Sequence, residues 1–263
     1  MTPPVVLTIA GSDSGAGAGI QADVKTFAAL GCYGTSVITA VTAQNTKGVP
    51  GIFPMSGEAV AAQLDALLDD LPPRAVKVGM LATVDAAVAV ADRARAGLLP
   101  NLVVDPVLVS TSGYDLGAVE VVELLLPHAL VLTPNLREAS ALVGWPVTTV
   151  DDMARAAGEL AARGPQYVVV TGGDVTTGDE AVDVVCAGSR VEHLRLPRVA
   201  TRNNHGTGCT FSAAIAARLA LGDAVPDALA FAKDYVTRAL RGSREWALGG
   251  GHGPLDHFGW SAA

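Results

Sequence analysis

The stretch Asn203-Asn204-His205-Gly206-Thr207-Gly208-Cys209-Thr210-Phe211-Ser212 sets glycines directly before an Ala-rich helical pattern. A glycine-rich turn opening a helix exposes backbone N–H groups at the positive end of the helix dipole. That geometry suits an anion such as a transferring phosphoryl group. Gly206, Thr207 and Gly208 are the candidate anion-binding residues. Cys209 falls in the first helical turn, where its thiol pKa is expected to drop, so it is a candidate general base toward an alcohol. The same residues also fit a turn that merely starts a helix, with Cys209 as small core filler. Short glycine patterns do not separate the two.

Two further stretches carry chemistry. Gly11-Ser12-Asp13-Ser14-Gly15-Ala16-Gly17-Ala18-Gly19 follows a strand-like run and precedes a helix-like one. Its glycine spacing is neither a dinucleotide fingerprint nor a Walker A loop. It reads either as a flexible loop or as a loop at the carboxyl end of a strand, where α/β proteins bind ligands. Asp105-Pro106 ends another strand-like run, and Thr133-Pro134-Asn135-Leu136-Arg137-Glu138 follows. The carboxylates of Asp105 and Glu138, with Asn135, suit Mg²⁺ held through water and phosphate oxygens. Asn135 with Glu138 three residues on also has the form of a capping box, and the two roles can coexist.

The elements that must position these residues alternate along the chain. Strands are predicted over Val5–Ala10, Thr35–Thr42, Ala75–Val78, Leu102–Val104, Leu130–Leu132 and Tyr167–Val170. Helices are predicted over Ile20–Leu30, Glu58–Leu68, Thr83–Ala96, Leu116–Leu126, Asn135–Val143, Val150–Arg163, Thr207–Leu221 and Pro226–Trp246. The runs Ala181–Cys186 and Arg190–Leu196, split by Ala-Gly-Ser, predict a hairpin. Continuous apolar strands in βαβα order predict an α/β fold: a mostly parallel sheet covered by helices on both faces. No linker or repeat divides the chain, so one domain over residues 1–263 is expected.

Composition removes several classes. Of 263 residues, 50% are hydrophobic, yet no apolar run reaches the roughly 20 residues of a spanning helix. The N-terminus lacks the basic segment of a signal peptide, so a cytoplasmic protein that does not enter the membrane is expected. Net charge is −8 without a basic stretch, which argues against nucleic acid as the main partner. Cys32, Cys186 and Cys209 show no disulfide or zinc spacing.

Taken together, several segments resemble the bacterial hydroxymethylpyrimidine/phosphomethylpyrimidine kinases of the ribokinase superfamily. They are Ala10-Gly11-Ser12-Asp13-Ser14-Gly15-Ala16-Gly17-Ala18-Gly19-Ile20-Gln21-Ala22-Asp23, Val41-Thr42-Ala43-Gln44-Asn45-Thr46, Lys77-Val78-Gly79-Met80-Leu81, Val104-Asp105-Pro106-Val107, Thr133-Pro134-Asn135-Leu136 and His205-Gly206-Thr207-Gly208-Cys209-Thr210. Gly251-His252-Gly253-Pro254-Leu255 is similar to the family's tail.

The resemblance implies a ribokinase-like fold, ATP and Mg²⁺. The activity it implies is phosphorylation of 4-amino-5-hydroxymethyl-2-methylpyrimidine and then of its monophosphate, for thiamine diphosphate synthesis. It places Asp23 and Gln44 on the aminopyrimidine, Gly11 and Met80 around the ring, Cys209 as base, Gly206–Gly208 as anion hole, and Asp105 and Glu138 at the metal. Gln pairs a donor with an acceptor, and Met suits a flat ring face. Asn135, Thr171 and Arg202 fall on the nucleotide side, and a homodimer is expected. The sequence departs from the family where Thr111 and Thr171 stand in place of lysines; Arg202 or Lys47 are the candidates to compensate. The rival readings are a pyridoxal or pyridoxine kinase, alone or as a second activity, and a catalytically silent pyrimidine-binding protein.

Overall fold

The computed structural model describes residues 2–108, 118–173, 175 and 178–262. The replaced position Thr111 and the start of the helix expected from Leu116 lie outside them.

Six strands form the parallel centre of one nine-stranded sheet: β1 (Val5–Asp13), β2 (Tyr33–Asn45), β4 (Ala75–Val78), β5 (Leu102–Val104), β6 (Val131–Leu132) and β7 (Tyr167–Val170). β3 (Gly48–Pro54) pairs antiparallel with β2 at one edge, and the hairpin β8 (Glu180–Ala187) and β9 (Arg190–Pro197) closes the other. The order is β3-β2-β1-β4-β5-β6-β7-β8-β9. β3 was not expected, because its Gly48, Pro50, Gly51 and Pro54 read as loop. As an edge strand it needs hydrogen bonds on one side only and so tolerates proline.

The strands alternate between two cores, as a sheet covered on both faces must. Leu7, Val76, Leu102, Leu132, Val168 and Val170 face one layer, built from α2 (Gly57–Asp70), α3 (Val84–Arg95), α4 (Val119–Glu123), α5 (Leu136–Val143) and α6 (Val150–Ala161). Their neighbours Val6, Ala75, Val103, Val131 and Val169 face the other, built from α1 (Gly19–Ala29), α7 (Thr207–Leu221) and α8 (Val225–Gly242). Each such Val or Leu side chain, fully buried, contributes about 1.5–3 kcal/mol. α7 is buried almost all round, from Thr210 to Ala220. Its alanines let it press against the sheet, with α1 and α8 beside it, which fixes its N-terminus over the carboxyl ends of the strands.

Capping sets several helix starts. Ser56, Thr83 and Thr149 accept from the first-turn amides of α2, α3 and α6. Asn135 does so for α5, with Glu138 reaching back to the Asn135 N–H at 2.8 Å. No helix among the described residues is long and apolar enough to cross a membrane.

Candidate active site

The chain runs from β1 to β2 on one side and returns to β4 on the other, so β1 is the topological switch point. Ligands of open α/β sheets bind outside the carboxyl ends of strands at such a point. A cavity of about 770 Å³ lies there.

At one end Gly11, Gln44 and Met80 line the cavity together, with His205 beside them. Gly11 sits where the β1–β2 register shifts, between Ala10 and Ser12. Gln44 and His205 are joined at 3.2 Å through their Nε2 atoms. Asp23, expected on the ring, does not line the cavity. Its carboxylate is fully buried under the floor, accepting from Thr8 Oγ1 at 2.6 Å and paired with Lys77 Nζ at 2.9 Å. A group so enclosed cannot reach a ligand; it holds Lys77. The Lys77 ammonium, itself buried, also approaches Asp105 Oδ2 at 3.7 Å. Burial opposes its charge, but Asp23, the Cys209 thiol and Asp105 together keep its pKa above the ordinary lysine range.

The N-terminus of α7 forms the middle of the cavity wall through Gly206, Thr207, Gly208 and Cys209. Gly206 has φ +84°, and a Cβ there would fall 1.9 Å from the Gly17 carbonyl oxygen. Only glycine lets the two glycine-rich loops meet this closely. The thiol of Cys209 contradicts its expected acidity. Burial pushes it up to about 12, and Asp105 and Asp23 add to the rise against the opposing pull of Lys77. Desolvation and the two carboxylates outweigh the pull of Lys77 and of the backbone hydrogen bond with Gly19. Cys209 as a residue is only half-buried, while its sulfur packs low against Asp105, to which it hydrogen-bonds. Ser212 Oγ reaches Asp105 Oδ2 at 3.1 Å.

The far end is lined by Asn135, Glu138 and Thr171. Thr171 N–H donates to the Pro134 carbonyl at 2.9 Å, which aligns the end of β7 with the start of α5. Asp105 and Glu138 both border the cavity and both are buried. Arg202 and Lys47 are exposed and do not line it, so neither stands where the replaced lysines were expected. Besides the buried Lys77 in its floor, the Lys and Arg side chains that line it are Arg137 and Arg198. Arg198 sits after β9, donating to the carbonyls of Gly173 at 2.6 Å and Glu180 at 3.1 Å. Neither arginine stands out in the sequence, since each follows a polar helix start or an exposed strand. Lys77 did leave a signal: a lysine inside an otherwise apolar parallel strand.

The family profile described as phosphomethylpyrimidine kinase matches residues 13–256. The chain is 49% identical to the hydroxymethylpyrimidine/phosphomethylpyrimidine kinase of Streptomyces coelicolor, covering 99% of this chain and 96% of that one. It is 47% identical to a chloroplastic thiamine biosynthetic bifunctional enzyme of Arabidopsis thaliana, of whose length it spans 50%. An ADP complex of Bacillus subtilis pyridoxal kinase superposes with a TM-score of 0.89 at 39% identity, over 97% of this chain and 98% of that one. With this profile match running from the end of β1 to beyond α8, the chain belongs to the phosphomethylpyrimidine kinase family.

Proposed function

We propose that this protein transfers the γ-phosphoryl group of ATP to the hydroxymethyl oxygen of 4-amino-5-hydroxymethyl-2-methylpyrimidine, and then phosphorylates the resulting monophosphate. The observation that carries the reading is one continuous cavity. A flat-ring end at Gly11, Gln44 and Met80 leads past Cys209 and the α7 N-terminus to a carboxylate end at Asp105 and Glu138. Phosphoryl transfer needs positioning and charge stabilisation more than covalent help, and this order of groups supplies both.

In this reading Gln44 pairs with the amino group and ring nitrogen, while Met80 and Gly11 bound the ring. The hydroxymethyl oxygen attacks phosphorus as the bond to the departing ADP oxygen breaks. Cys209 accepts the hydroxyl proton as its own S–H proton moves to Asp105, its hydrogen-bond partner. The amides of Gly206–Gly208 bind the transferring group at the positive end of α7. Asp23 and Lys77 act underneath, holding Asp105 and the thiol in place. Two hard carboxylates without a closed ligand cage suit a hard cation such as Mg²⁺. Asp105 and Glu138 would hold it, and it would supply charge neutralisation. Asn135, Thr171, Arg137 and Arg198 border the space left for the nucleotide. A homodimer belongs to the same proposal and is tested by sizing in solution.

The likeness to a pyridoxal kinase favours a second acceptor, pyridoxal. Gln44 argues for the pyrimidine, because its amide matches an amino group beside a ring nitrogen. ADP release measured with the pyrimidine alcohol, its monophosphate and pyridoxal decides. The pyrimidine alcohol should give the highest kcat/KM. Absence of turnover with it overturns the proposal, and so does a clear preference for pyridoxal.

A further inference from the structure

One buried group at the ring end has no part in the mechanism above. His205 Nε2 lies 3.0 Å from Asp13 Oδ2 and 3.2 Å from Gln44 Nε2. The imidazole is held firmly. Its backbone N–H donates to the Gly253 carbonyl at 3.0 Å, and its ring lies against Gly17, where a Cβ would come 2.3 Å from Cδ2.

Asp13 decides which hydrogen sits where. Its carboxylate accepts from the amides of Gly15 at 2.8 Å, Gly17 at 3.0 Å and Ala18 at 2.9 Å. Burial pushes this carboxyl up, but the hydrogen bonds from His205 and the amides, with the His205 charge interaction, prevail and hold it below the ordinary range. An ionised carboxylate accepts only. His205 Nε2 therefore carries a hydrogen and gives it to Asp13. A nitrogen that donates cannot also accept from the Gln44 amide.

The other end of Gln44 leads to the same conclusion. Thr42 Oγ1 lies 2.9 Å from the Ser12 carbonyl and 3.0 Å from the far atom of the Gln44 amide. Its single hydrogen satisfies the carbonyl, so toward Gln44 the hydroxyl is an acceptor. The two ends of a carboxamide have the same shape, and hydrogen count decides between them. The consistent assignment turns the Gln44 oxygen toward His205, where it shares the Nε2 hydrogen held mainly by Asp13 and an NH₂ would face that hydrogen with its own, and turns the NH₂ toward Thr42. One lone pair and one N–H then remain for the cavity.

We propose that His205, locked by Asp13, is a positioning residue that fixes the amide orientation of Gln44 and thereby selects a ring bearing an amino donor beside a nitrogen acceptor. This rests on the functional reading above and deepens it.

The test compares kcat and KM for the 4-aminopyrimidine alcohol and for its 4-oxo counterpart, in which the donor becomes an acceptor. In His205→Leu the Gln44 amide is free to turn. KM for the amino compound should rise about tenfold, as for one lost partner of a buried polar group. The amino-over-oxo preference should fall by a similar factor, with kcat on the amino compound nearly unchanged. His205→Gln, which keeps an N–H within reach of Asp13, should restore most of the preference. Adding His205→Leu to Gln44→Leu should leave the ratio where Gln44→Leu alone puts it. An unmoved ratio in soluble His205→Leu, or in Asp13→Asn should His205→Leu not fold, overturns the positioning role. So does a loss confined to kcat. A wild-type protein inactive on the amino compound would instead overturn the functional reading, and a calorimetric titration of His205→Leu with that compound would then judge the positioning role alone.

Discussion

Replacing Lys77 with Met tests the charge arrangement beneath the cavity. Met fills nearly the same volume, so packing is kept while the cation is removed. Lys77 is fully buried, with Asp23 at 2.9 Å and Asp105 at 3.7 Å. Removing one partner of a buried pair leaves an uncompensated charge and costs about 3–5 kcal/mol. That is a large part of the roughly 5–15 kcal/mol by which domains are stable. In the variant, burial of Asp23 is no longer opposed by its main counter-charge. Its folded pKa, which burial already holds above the unfolded value of about 3.9, then rises further. A raised carboxyl loses stability as pH rises from the unfolded pKa through the folded one. The deficit of Lys77→Met is therefore largest at neutral pH and narrows on acidification. Urea unfolding of the wild type and the variant, at neutral pH and near pH 5, measures it. Lys77→Met with Asp23→Asn should recover at least half the loss, because a neutral buried pair needs no counter-charge. A deficit under about 1 kcal/mol would place the pair in the range of exposed salt bridges and refute the argument. A deficit that does not respond to pH or to Asp23→Asn would also refute it.

Cys209→Ala should fold normally, bind the pyrimidine and lose about 10²–10⁴-fold in turnover. Cys209→Asp should restore part of it, and near-normal turnover in Cys209→Ala would remove the thiol from the proton path. Because burial holds this thiol up near 12, iodoacetamide should label Cys209 slowly at neutral pH and faster as pH rises, which peptide mapping by mass spectrometry follows. Rapid labelling at neutral pH would mean the helix dipole prevails after all. Glu138→Gln keeps an oxygen for the Asn135 N–H but loses its charge, so the Mg²⁺ concentration for half-maximal rate should rise severalfold. The capping charge is worth about 0.3–1 kcal/mol, so Tm should fall by no more than about 2–4 °C. A large Tm loss with unchanged Mg²⁺ dependence would make Glu138 a cap alone.

How far the sequence reaches depends on whether a property is local. The period of the strands and the capping box at Asn135 and Glu138 are set by neighbouring residues, and the structure has them where the pattern puts them. Gly11, Gln44 and Met80 line one cavity, and Gly206–Cys209 forms part of its wall. The long reach of Asp23 is different. Its partner Lys77 is 54 residues away, and nothing near Asp23 in the chain says whether its carboxylate points up into a ligand or down into the sheet. The edge strand β3 was hidden by its own prolines, which only a one-sided position permits.

Cys209 shows most clearly why local reasoning fails at the site. The helix start is a property of adjacent residues, and it pulls the thiol pKa down. Burial, Asp105 and Asp23 come from α1 and the β5 end, far apart in sequence, and they push it up. The distant contributions come from Asp23 and Asp105, which are buried beneath the cavity wall, where charge interactions are less screened than at the surface. In the proposed reaction the proton taken from the substrate would therefore not stay on the sulfur, and Asp105, hydrogen-bonded to the thiol and paired with Lys77, would receive it.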